Sequence, residues 1–89
     1  MYLLAIRDIK SDVFIGMHVA LAKGAAVRQF GDACNDDKSF LKAHPEDYQL
    51  YLLAEVDERS GRVTPLDVPF LLASATEFVG HAVREVRHE

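Results

Sequence analysis

Residues 2–7 are almost wholly aliphatic, and the run ends in the charged segment Asp8-Ile9-Lys10-Ser11-Asp12, which predicts a short strand. With the two-residue period of a strand, Tyr2, Leu4 and Ile6 share one face, and Leu3, Ala5 and Arg7 the other. Residues 13–18 form a second apolar stretch with Gly16 inside it, compatible with a short strand or an extended loop. Over residues 23–34 the period lengthens. Ala26, Val27, Phe30, Ala33 and Cys34 recur at three- and four-residue steps, which predicts a helix with one apolar face. Gly24 and Gly31 each weaken it by up to ~1 kcal/mol relative to alanine. Asn35-Asp36-Asp37 ends it, and residues 39–42 read as a short connection. His44 precedes Pro45, which disfavours the α region at His44.

Residues 48–57 show the clearest alternation. Tyr48, Leu50, Leu52, Ala54 and Val56 face the predicted core, and Gln49, Tyr51, Leu53, Glu55 and Asp57 face away. Glu58-Arg59-Ser60-Gly61 is a turn signal. Residues 62–66 return as a partner strand, stopped by Pro65 or soon after. Pro69 suits a strand edge or the first turn of a helix. From about Phe70 or Ser74 to Arg87 the period is again helical, with Ala75, Phe78, Val79, Ala82, Val83 and Val86 on one stripe. Ser74 and Glu77 have the spacing of a capping box. The predicted fold is α+β: a small, mostly antiparallel sheet with two helices packed on one side, in a single domain over residues 1–89.

Eighty-nine residues allow one modest core and no second domain. No apolar run approaches the ~18 residues of a membrane span. Met1-Tyr2-Leu3-Leu4 has no basic leader, so no secretory signal is expected. The lone Cys34 allows no internal disulfide and fits a reducing cytoplasm. The net charge of −4 is unevenly spread: residues 1–30 hold four basic and two acidic side chains, and residues 31–60 hold three basic and eight acidic ones. A dedicated polyanion binder usually shows the opposite sign, so any nucleic-acid contact must use a local face or several subunits.

Cys34, His44 and Asp47 are the residue types of a nucleophile, base and orienter, but a small core residue at the end of a helical stripe explains Cys34 better. Glu77, His81 and Glu85 stand at four-residue steps with His88 in the same stripe. His81 and His88 are about 10 Å apart in helical rise, too far to share one ion, so a solvated face is expected. Asp32, Asn35, Asp36 and Asp37 lack EF-hand spacing and read as cap and turn chemistry. There is no P-loop, dinucleotide fingerprint or paired-cysteine motif. No enzyme activity, metal or cofactor is expected. Single-strand binders combine cations with aromatics on which bases stack. The candidates are Tyr51 on the less apolar strand face, Arg62 across the turn, Arg28 off the apolar helix face, and Lys23 and Lys42 flanking the same region.

Two blocks carry a family resemblance. The first spans residues 24–36 and contains Ala26, Arg28, Phe30, Asn35 and Asp36 in an A-x-R-x-F…N-D arrangement. The second is His44-Pro45-Glu46-Asp47-Tyr48-Gln49-Leu50-Tyr51, followed by Glu55, Asp57 and Gly61. Together they resemble the small non-structural protein of gokushovirus-type microviruses, tailless bacteriophages with circular single-stranded DNA. The resemblance runs from the first strand to Pro69. One departure is Ala54, where the family pattern has glycine. The resemblance implies a DNA-binding accessory protein of phage genome synthesis or packaging, acting in the host bacterial cytoplasm with single-stranded DNA as partner. Phosphate contacts and a steep salt dependence are then expected. A homodimer would double a local basic face and cover a sheet edge. The rival reading, favoured by the acidic middle third, is an adaptor for a phage replication or procapsid protein.

Overall fold

The computed structural model describes residues 1–79. Four strands, β1 (Tyr2–Asp8), β2 (Val13–Ala20), β3 (Tyr48–Val56) and β4 (Val63–Ser74), form one sheet in the order β2-β1-β3-β4. Every neighbouring pair is antiparallel. Between β2 and β3 the chain forms the helix α1 (Lys23–Cys34), the one-turn helix α2 (Phe40–Ala43) and a 3₁₀ turn at Pro45–Asp47. The α+β prediction holds.

The core lies between α1 and one sheet face. Ala26, Phe30 and Cys34 of α1 are buried with Leu4 of β1 and Leu50 and Leu52 of β3, and Tyr2, Ile6 and Tyr48 pack against them. The stripes anticipated for β1, α1 and the first half of β3 thus meet. The expected connection at residues 39–42 is helical instead. Ser39 Oγ accepts the Leu41 N–H at 3.0 Å, an N-cap that starts α2 and buries Leu41.

The apolar stretch after Asp12 is strand β2, paired along its length with β1. Gly16, at φ +60°, accommodates a bulge opposite Ala5. The return strand does not stop at Pro65. β4 continues to Ser74 because it is an edge strand, where a proline's missing N–H breaks no ladder bond. Its pairing slips over residues 66–69.

The anticipated alternation of β3 fails at Leu53. Leu4 pairs with Leu52 and Leu3 with Ala54, so Leu53 is an extra residue. The bulge moves Ala54 to the face of Leu3, and Glu55 to the face of Tyr2. Ala54 is nevertheless buried.

Beyond β4, residues 76–79 begin a helical turn. The Ser74 N–H donates to Glu77 Oε2 at 3.0 Å, one arm of the anticipated capping box. Phe78 lies against α1, its ring edge-to-face with Phe30 at 6.0 Å. Gly31 makes this approach possible, because a Cβ there would sit 2.8 Å from Phe78 Cδ1. The rest of the predicted helix, with His81, Glu85 and His88, lies outside the described residues.

Candidate nucleic-acid interface

The sheet face opposite α1 is uncovered among the described residues. Register places on it Leu3, Ala5 and Arg7 of β1, Phe14 and Val19 of β2, Gln49 and Tyr51 of β3, and Leu71 and Ser74 of β4. β1 lies between β2 and β3, so the Phe14 and Tyr51 rings meet across it. Their centroids are 5.7 Å apart at 84°, an edge-to-face pair. Beneath them Ala5 pairs with Tyr51 and has no exposure, so the rings, not the helix, bury it. The Arg7 guanidinium carbon lies 5.1 Å from the Phe14 centroid, a cation–π contact. Arg7 also pairs with Asp12 in the β1–β2 turn. The Tyr51 hydroxyl donates to Gln49 Oε1 at 3.4 Å.

Of the anticipated site residues, Tyr51 alone is on this face. Lys23 begins α1, its Nζ 5.4 Å from the Tyr2 centroid on the helix side of the sheet. Arg28 is exposed on α1. Lys42, on α2, pairs with Asp37, and this hydrogen bond and charge hold the Asp37 carboxyl below its usual range. Arg62 is exposed in the β3–β4 turn, where its N–H donates to Ser60 Oγ at 3.1 Å. Of the anticipated cations, Lys23, Arg28 and Lys42 therefore lie on the helical layer, whereas the cation of the aromatic face is Arg7. Sequence reasoning missed Arg7 and Phe14. The strand alternation does put Arg7 on the correct face, but only the hairpin register brings Phe14 opposite it.

Cys34 is buried, and desolvation pushes its thiol up to about 11, so it is a neutral core group at physiological pH. His44, Glu46 and Asp47 offer ligand atoms within 4.8 Å of one another around the 3₁₀ turn. Two of the three are exposed, and the Asp47 N–H donates to the His44 carbonyl in an ordinary turn.

A family model described as Phage ORF5 protein matches residues 1–78. The chain belongs to this phage protein family. The match covers every strand, α1 and the aromatic face, and extends past Pro69, where the sequence resemblance ended. No curated protein and no solved structure matches the chain. No helix among the described residues of this phage ORF5-family protein is long and apolar enough to cross a membrane.

Proposed function

We propose that this phage ORF5-family protein is a non-structural accessory protein that binds single-stranded phage DNA in the host cytoplasm during genome synthesis or packaging. The observation that carries the reading is the Phe14–Tyr51 pair on the uncovered sheet face, with Arg7 beside it. Bases with no complementary strand expose their π-faces, and aromatics on a sheet take them up with little regard to sequence. Duplex DNA keeps those faces stacked, so the single strand is the preferred partner. The resemblance to gokushovirus non-structural proteins and the phage family match support the viral setting.

One cation on the face changes the expected salt response. Counterion release scales with the phosphates neutralised, so a face offering Arg7 alone gives a shallow slope rather than a steep one. The test is fluorescence anisotropy of a labelled single-stranded oligonucleotide and of its duplex, at low and physiological salt. Micromolar single-strand binding, stronger than duplex binding and weakened by Tyr51→Ala, is expected. No binding at low salt by folded protein refutes the reading.

A second reading, an adaptor for a phage replication or procapsid protein, has one specific support. On the helix side, a cleft of about 370 Å³ is lined by Leu52, Leu66, Val68 and Phe70 with Lys23, Glu55 and Asp67 at its rim. Val68 and Phe70 are exposed apolar side chains there, of the kind that marks protein contacts.

A further inference from the structure

The two edges of the sheet are defended unequally. β4 carries Pro65 and Pro69, which lack an N–H, together with Asp67, and its pairing is irregular. β2 and the two residues after it (13–22) contain no lysine, arginine, aspartate, glutamate or proline. Past the Gly16 bulge, Met17 and Val19 of the strand and Leu21 just beyond it are 62%, 53% and 72% exposed. Natural sheets keep such an edge short, charged or covered, because its free N–H and C=O groups invite another strand.

We propose that β2 is the interface of a homodimer, in which two copies pair edge to edge and antiparallel about a two-fold axis through Val19. Between the bulge at Gly16, whose carbonyl accepts from the His18 ring, and the N-cap Ala22, whose carbonyl accepts the Ala26 N–H, the outer edge of residues 17–21 meets no other described strand. Antiparallel self-pairing of that segment is longest when centred on its midpoint, Val19. Met17 then opposes Leu21, His18 opposes Ala20, and the two Val19 side chains oppose each other. The segment is its own complement, as a two-fold contact requires.

The charge pattern favours a second copy over an unrelated chain. The contact strip is neutral and lies, in each copy, within residues 1–30, the least acidic part of a chain of net charge −4. Five residues make a strip about 17 Å long, so ladder hydrogen bonds and a few side chains carry a contact smaller than a standard interface. The dimer is therefore reversible. Because the axis is perpendicular to the sheet, both aromatic faces lie on one side of an eight-stranded sheet.

Sedimentation equilibrium of the full chain should give twice the 9.9 kDa chain mass at about 100 µM, falling toward monomer on dilution. Val19→Lys should be monomeric with unchanged circular dichroism, and Val68→Lys on the other edge should remain dimeric. Val19→Cys should cross-link across the axis when diamide takes up the two thiol hydrogens, whereas wild-type protein, with Cys34 buried, should not. A monomeric wild type at 100 µM overturns the proposal, as does a folded Val19→Lys dimer or dissociation by Val68→Lys. Should Val19→Lys fail to fold, the cross-link decides: its absence overturns the register.

Discussion

Gly31→Ala tests how the segment after β4 is held to the helix. In an isolated helix the change stabilises by up to ~1 kcal/mol, because alanine loses less conformational freedom than glycine. Here the new Cβ would sit 2.8 Å from Cδ1, 3.1 Å from Cε1 and 3.3 Å from Cγ of Phe78. Ring rotation cannot relieve a contact that includes Cγ, so the whole side chain must withdraw by nearly 1 Å. That loosens its edge-to-face contact with Phe30. Overpacking of this kind costs roughly 1–3 kcal/mol, which outweighs the propensity gain and leaves a net loss of ~0.5–2 kcal/mol. For a domain this small, each 1 kcal/mol moves Tm by about 4–8 °C.

Urea denaturation of four proteins, wild type, Gly31→Ala, Phe78→Ala and the double variant, measures the effect as a cycle. With Phe78 truncated the clash is gone, so Gly31→Ala should then stabilise by ~0.5–1 kcal/mol. The reversal of sign is the prediction. A Gly31→Ala that stabilises the wild-type background would refute the close approach of Phe78 to α1.

Tyr51→Ala and Phe14→Ala should each weaken single-strand binding by roughly 5- to 150-fold, the range of a lost base stack, in anisotropy titrations of protein that still melts cooperatively. Asp12→Gly should strengthen binding by up to about fivefold, because it releases Arg7 from an exposed ion pair of at most ~1 kcal/mol, and it should not destabilise the turn, where Asp12 holds φ +61°. Cys34 keeps its proton in the folded state up to about pH 11 and loses it earlier when unfolded, so the urea midpoint should fall as pH rises from about 9 to 11. Cys34→Ala should flatten that decline, and an unchanged slope would show that other groups cause it.

The helix α1 and the first half of β3 were legible because each buries one face and repeats its period over several residues. Phe30, Cys34, Leu50 and Leu52 follow from that alone. The β3 bulge was not legible. One extra residue at Leu53 carries no local mark, yet it moves Ala54 and Glu55 to opposite faces. The extent of β4 was misread because a proline's meaning depends on whether its strand is an edge, a property of sheet order. The site was half legible for a related reason. Tyr51 was found by alternation within its own strand. Arg7 and Phe14 become its neighbours only through register across three strands.

Layering also decides how the net charge bears on function. Much of the acidity sits in turns and serves them: Asp57 accepts the Arg59 and Ser60 N–H groups, which hold its carboxyl below the usual range, and Asp36 accepts the Lys38 N–H. None of the residues that register places on the aromatic face is acidic. At physiological ionic strength screening acts over about 8 Å, so the face responds mainly to Arg7 and its partner Asp12 and little to the chain's total of −4. The salt dependence of the proposed single-strand binding therefore reports which layer the DNA would touch. Neutralising one phosphate gives a slope of log affinity against log salt near −0.7, whereas contact through Lys23, Arg28 and Lys42 on the helical layer gives about −2. A slope near −0.7, abolished by Arg7→Ala, is the expected result. A slope near −2 that Arg7→Ala leaves unchanged would move the interface to the opposite side of the sheet.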